Sequence, residues 1–144
     1  MMNTINNVVN NTTKLVEIKT IANYQAGACN IGQEERERRK TFGLMGAILA
    51  VGWPFICYVF VLPITLKLLV FFPTFFGILG LWQYRKQYCA FYGLTGKYNF
   101  GVLGQTVAVV EAKQREIDKK KSLKMLGISL GVSFVYTLLI VLFM

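Results

Sequence analysis

Three apolar runs of about twenty residues, at 42–62, 64–84 and 125–144, constrain this chain more than any other feature. A helix rises ~1.5 Å per residue, so each run is long enough to cross the ~30 Å hydrocarbon core of a bilayer. The runs predict an all-α integral membrane protein with three transmembrane helices. Composition agrees: 54% of the chain is hydrophobic and only 16% is charged, against ~25% charged in soluble domains. What lies outside the runs is enough for tails and a small polar cap, but not for a separate soluble enzyme domain. The first 41 residues hold no apolar core of the signal-peptide kind, so the first run is expected to act as an uncleaved signal-anchor.

The net charge of +9 reads as topology once its distribution is seen. Arg36, Arg38, Arg39 and Lys40 precede the first run. Arg85, Lys86, Lys97, Lys113, Arg115, Lys119, Lys120, Lys121 and Lys124 separate the second from the third, whereas Lys67 alone lies near the first connection. Cytoplasmic loops collect Lys and Arg, which places the N-terminus and the 85–124 segment inside, and Pro63 and Met144 outside. The expected partner of the basic residues is therefore a bilayer with anionic headgroups, read by Lys119, Lys120, Lys121 and Lys124, and not nucleic acid.

Residues 1–28 are rich in Asn and Thr and read as a flexible polar tail, with weak alternation at 14–21. The Asn-x-Thr triplets at Asn10 and Asn11 would be glycosylated only in a secretory lumen, so the N-in topology makes them incidental. Residues 29–144 read as one membrane domain. Its charged segment 33–40 has acids early and bases late, with Glu34 to Arg38 and Glu35 to Arg39 at helical spacing. That segment is expected to continue into the first span or to lie along the headgroups. Within the cytoplasmic cap, 85–124, the glycine-dense stretch and following β-branched run at 97–110 predict a small hairpin. The segment 111–124 predicts a helix leading into the third span, supported by the pairs Glu111 to Arg115 and Glu116 to Lys120.

Small residues mark the expected packing faces. Gly43, Gly46, Ala47 and Ala50 lie in the first span and Gly77 and Gly80 in the second, where they would let two antiparallel helices approach closely. Pro54 and Pro73 are expected to kink these helices. Gly127 and Gly131 form a GxxxG motif in the third span, facing either the hairpin or a second copy of the chain. Trp82, Tyr84 and Tyr88 fall where interfacial rings are favoured.

Chemistry is narrowed by what is missing. The chain contains no histidine, which removes the commonest general base and transition-metal ligand. No ionisable residue falls near the middle of a span, which argues against a pump or coupled transporter. Gly96 and Lys97 do not complete a phosphate loop, because Phe91 and Tyr98 occupy two of its required positions. Cys57 reads as a small core hydrophobe. Cys29 and Cys89 both fall on the cytoplasmic side close to the membrane, and the helical hairpin brings their neighbourhoods together. They read as two separate reduced thiols, as a reversible disulfide, or, in a symmetric dimer, as four ligands for zinc or an iron–sulfur cluster.

Cys29-Asn30-Ile31-Gly32 before an Arg-rich helix, then Cys89, then the run Gly-Lys-Tyr-Asn-Phe-Gly at 96–101, resembles a family of small bacterial inner-membrane proteins. In that family a Cys-Asn-Ile-Gly box and a Phe-Cys…Gly…Tyr-Asn-Phe region flank a helical hairpin. Here Tyr88 is the aromatic before the second cysteine, where the family pattern has Phe. The resemblance covers residues 29–143 and implies that both inner cysteines belong to the family pattern; it implies no activity. The expectation is a non-enzymatic structural or accessory subunit of a membrane complex, without a resident cofactor, meeting other membrane subunits or itself. A cysteine redox or metal site and an anionic-lipid surface are the alternatives.

Overall fold

The structure, a computed structural model, describes residues 24–101 and 103–143. Most of the expected tail, with the 14–21 segment and both Asn-x-Thr triplets, lies outside the described residues. Among those described the chain is mostly helical, and three helical stretches are long and apolar enough to cross a membrane.

Helix α1, Gln33–Val59, carries the charged segment straight into the first apolar run. The Glu35–Arg39 and Glu37–Lys40 ion pairs form at 3.4 and 3.5 Å. Glu34 does not pair with Arg38; it accepts a hydrogen bond from the Leu103 backbone N–H at 3.2 Å, and Arg38 lies over the Phe42 ring. Pro54 sits inside α1 without ending it. Having no N–H, Pro54 cannot bond the carbonyl of Ala50, four residues back. The Tyr136 hydroxyl supplies the missing donor at 3.0 Å.

The second apolar run is interrupted. A short helix α2, Ile64–Lys67, passes through a 3₁₀ turn, Leu68–Val70, into α3, Phe71–Lys86. Pro73 accounts for the break, since its ring crowds the Leu69 carbonyl and the turn ahead tightens. The Trp53 indole donates to the Leu66 carbonyl at 2.8 Å, so α1 supplies a donor at this irregular turn as well.

Four glycines set the α1–α3 contact. A Cβ on Gly46 would lie 2.6 Å from the Gly77 nitrogen, and one on Gly43 would lie 2.6 Å from the Leu81 nitrogen. Seen from α3, a Cβ on Gly77 would meet Ala47 at 2.8 Å and one on Gly80 would meet Gly43 at 2.8 Å. Backbone therefore rests on backbone, and no side chain fits between. Ala50 is also buried, with its carbonyl turned to Tyr136.

Gln87 caps α3 in the left-handed region and reverses the chain, with the Tyr88 N–H bonding back to the Gln83 carbonyl at 3.1 Å. Helix α4, Ala90–Thr95, follows. Strands β1, Lys97–Tyr98, and β2, Val107–Ala108, then pair antiparallel with Lys97 opposite Ala108 and Tyr98 opposite Val107. The expected hairpin is present, though only two residues long on each side. Helix α5, Ala112–Phe143, runs from the cap through the third apolar run without a break. Glu116 and Lys120 pair at 2.8 Å, whereas Arg115 turns away from Glu111 to the Val110 carbonyl.

The buried residues of α5 are Asp118, Ser122, Met125, Ser129, Ser133 and Thr137, spaced to share one face. Gly127 and Gly131 lie on the opposite face, where an added Cβ would meet nothing within 4 Å. Of the two contacts open to this GxxxG motif, the one onto the hairpin is therefore not made. Small hydroxyl side chains line the seam instead, two of them folded back onto the helix: Ser133 donates to the Ser129 carbonyl and Thr137 to that of Ser133. At the head of the seam Leu79, Tyr88, Ala90 and Met125 form a small core, with Phe75, Trp82 and Leu126 against it.

Candidate functional site

The Cys-Asn-Ile-Gly box is the junction on which the cap is built. Asn30 is fully buried, and its amide pairs with both backbone groups of Cys89. Its Nδ2 donates to the Cys89 carbonyl at 3.0 Å, and its Oδ1 accepts from the Cys89 N–H at 2.6 Å. The backbone completes the junction. Asn30 and Ile31 N–H groups donate to the Gln87 carbonyl, Asn99 N–H donates to the Asn30 carbonyl, and Gly32 N–H donates to that of Asn99 at 2.6 Å. Ile31 and Asn99 form a parallel bridge. A side chain on Gly32 would press on the Phe100 backbone, with its Cβ 3.0 Å from Phe100 Cα. One short segment thus ties the start of α1, the end of α3 and the β-turn region together.

The two cysteine segments meet, but their side chains face different spaces. Cys29 lies 3.6 Å from Gln87 Oε1 and 3.7 Å from the Ile31 carbonyl, in the wall of a polar cavity of about 420 Å³ with Gln25, Arg36 and Phe100. Cys89 is fully buried and lines a separate, larger cavity. All three cysteines are free. Burial pushes the Cys29 thiol up, only partly offset by Ile31, Lys121 and Arg36; burial likewise pushes Cys89 up. Both are therefore thiols at neutral pH, and the thiolate is the form that binds metal or attacks a disulfide. Among the described residues no three His, Cys, Asp or Glu side chains are grouped to hold a metal ion. Cys57 is buried in α1, as a small hydrophobe would be.

Two buried carboxylates organise the cap; the sequence pairs Glu35 with Arg39 but does not mark it as buried, and it does not single out Asp118. Glu35, 1% exposed, accepts from the Tyr92 hydroxyl at 2.9 Å and pairs with Arg39. Asp118, 0% exposed, accepts from the Tyr24 hydroxyl at 2.6 Å and from the Gly27 N–H at 2.7 Å. The Tyr88 hydroxyl donates to the Asp118 carbonyl at 2.7 Å and sits 3.1 Å from Ser122 Oγ. Gly93 must be glycine, because a Cβ there would collide with both of these hydroxyls. Burial foremost, reinforced by Asp118, pushes the Tyr24 phenol far above its ordinary range; burial does the same to Tyr88.

These contacts correct three expectations. Residues 24–28 are not loose tail: Tyr24 and Gly27 are docked on α5, and the Tyr24 and Tyr98 rings stack at 4.7 Å. Tyr88 is not an interfacial ring but part of the cap's interior. Lys121 is not a headgroup lysine. Its ammonium donates to the Ala28 carbonyl at 3.1 Å and lies 4.1 Å over the Tyr88 ring, and burial lowers its pKa. Lys119, Lys120 and Lys124 remain exposed, Lys120 next to Glu116.

The larger cavity, about 880 Å³, runs beside the α1–α3 contact from Arg38 and Arg39 at the cap end to Trp53 and Leu69. Its walls are otherwise apolar save for Gln83 and Cys89. No protein-family model, no curated protein and no solved structure matches the chain.

Proposed function

We propose that this chain is a non-enzymatic integral protein of a bacterial-type inner membrane, an accessory subunit that docks a neighbouring transmembrane helix on the outer face of α5. In this reading the cap and both basic segments lie in the cytoplasm and Pro63 lies outside, following the distribution of Lys and Arg. One observation carries it. The apolar part of α5 is the least covered of the three, 17% buried against 28% for α1 and 22% for the second span. Its uncovered face presents Gly127 and Gly131, the small residues that close helix contacts in lipid use.

Two measurements test it. The protein extracted in mild detergent is expected to run as a homo-oligomer or with a membrane partner, and Gly127→Ile with Gly131→Ile should release the monomer while leaving thermal unfolding of the cap unchanged. An unchanged assembly size overturns the docking face. On intact cells, with the native cysteines replaced, an impermeant thiol reagent should label Thr65→Cys and spare Gln105→Cys. The reverse pattern overturns the orientation.

A further inference from the structure

The 880 Å³ cavity differs from an ordinary lipid-facing groove at its cap end. There, among the described residues, Arg38 and Arg39 are its only charged lining residues, and every other wall residue but Gln83 and Cys89 is apolar. Two polar atoms at this end have no partner. Arg39 Nε and Gln83 Oε1 are both buried with no hydrogen bond, although Arg39 Nη2 holds Glu35. Gln83 as a whole is only 5% exposed. A buried donor or acceptor left unmade costs about 1–3 kcal/mol, so such a pair in one wall points to a ligand that completes it.

The shape of the cavity supplies the rest of the ligand. From Arg39 to Trp53, α1 advances ~21 Å at ~1.5 Å per residue, which exceeds the ~15 Å of one leaflet's hydrocarbon. The long wall is built from Gly46, Leu49, Leu69 and Phe76. Leu49, Leu69 and Phe76 are exposed, so the groove opens sideways along its length. Two cationic donors at a polar mouth above a leaflet-long apolar channel fit an amphiphile with an anionic head and an acyl chain.

We infer that this groove holds one anionic phospholipid of the cytoplasmic leaflet. Its phosphate accepts from the guanidinium groups of Arg38 and Arg39, a headgroup hydroxyl donates to Gln83 Oε1, and one acyl chain lies along α1 toward Trp53. Helix α4 covers the mouth through Ala90, Phe91 and Leu94. The site rests on the membrane reading of α1 and α3 but not on the docking face of α5. It also uses none of the exposed lysines of α5.

Native mass spectrometry of the full chain in mild detergent, titrated with phosphatidylglycerol or with phosphatidylcholine of the same chains, tests this directly. The expected result is a single tight site with about ten- to a hundredfold preference for phosphatidylglycerol, as expected for charge-assisted hydrogen bonds. Arg38→Gln and Gln83→Leu each leave the Glu35–Arg39 pair in place and should each weaken that site about tenfold or more. Leu49→Trp should fill the channel and abolish it, whereas Lys119→Gln with Lys124→Gln should not change it. Equal binding of the two lipids, or a phosphatidylglycerol preference lost with the lysines and kept in Arg38→Gln and Gln83→Leu, overturns the inference. Circular dichroism of each variant confirms that a lost site is not a lost fold. Failure of α5 docking with this site intact would leave the inference standing.

Discussion

The cap and the α1–α3 contact are held together by different physics. In the cap, specificity comes from buried polar groups with matched partners: Asn30 on the Cys89 backbone, Asp118 under Tyr24 and Gly27, Glu35 under Tyr92. Between α1 and α3 it comes from the absence of side chains, Gly43 and Gly46 resting on Gly77 and Gly80. On the membrane reading proposed above, each device suits its surroundings. Where lipid replaces water there is little hydrophobic gain from joining two apolar helices, so close backbone approach and dispersion must hold them. Near an aqueous surface a satisfied polar network fixes which segments meet, because an unmatched buried group is costly there. Helix α5 belongs to both regions, with Asp118 and Ser122 in the cap and Ser129, Ser133 and Thr137 in the seam.

The sharpest way to break this comparison is to add a side chain to each region. Gly77→Leu should separate α1 from α3 and cost more than ~3 kcal/mol, because backbone cannot yield as a core side chain can. Gly131→Leu, on the uncovered face, should change monomer stability by less than ~0.5 kcal/mol. Reversible unfolding in mixed micelles checks both; equal effects would remove the distinction. In the cap, Asn30→Ala leaves the Cys89 N–H and carbonyl buried and unpaired, and should cost about 2–4 kcal/mol by the same measurement.

The pH dependence follows from the tyrosines. Tyr24 and Tyr88 hold their protons in the folded state far above the ordinary phenol range. Up to pH ~10 both are neutral whether the chain is folded or unfolded, and their contribution is fully present. Above pH ~10 the unfolded chain ionises first, so stability falls as pH rises further. Tyr24→Phe with Tyr88→Phe should lower stability at neutral pH and flatten that alkaline decline. A decline of the same slope in the double variant would assign it elsewhere.

Smaller effects sharpen the view of the proline sites. Tyr136→Phe leaves the Ala50 carbonyl without a donor and should cost about 1–2 kcal/mol. Pro54→Ala restores the helical N–H, so in that background Tyr136→Phe should cost less than ~0.5 kcal/mol, which a double-mutant cycle reads. Additive costs would mean that Tyr136 does not stand in for the lost bond. Gln87 occupies the left-handed region with φ of 50°, so Gln87→Gly is expected to stabilise the cap by about 1 kcal/mol, read by the shift in unfolding midpoint.

Long-period features were legible in the sequence, and the cap's partners were not. The three apolar helices follow from the length of the runs, and the Gly43, Gly46, Gly77 and Gly80 contact from residue size, since nothing else allows backbones so close. The meeting of the Cys29 and Cys89 segments follows from the hairpin, but the amide that makes the junction belongs to Asn30, a residue with no reactive signature in the sequence. Glu35 and Asp118 were hidden within charged runs that resemble solvated helix faces. For Asp118 a signal did exist: with Ser122, Met125, Ser129, Ser133 and Thr137 it continues a single stripe of mostly small polar residues. That stripe, and not the more conspicuous GxxxG motif, marks the inward face of α5. Hydrophobicity alone cannot reveal it, because in lipid the inner face need not be the more apolar one.

A cysteine crosslinking scan along α5 in native membranes, with Cys29, Cys57 and Cys89 replaced, tests the docking proposal most directly. The account predicts crosslinks to a partner or a second copy from Gly127→Cys, Gly131→Cys and Leu138→Cys, and none from Ser129→Cys, Ser133→Cys or Thr137→Cys. Crosslinks confined to the serine face, or none on either face, would contradict it.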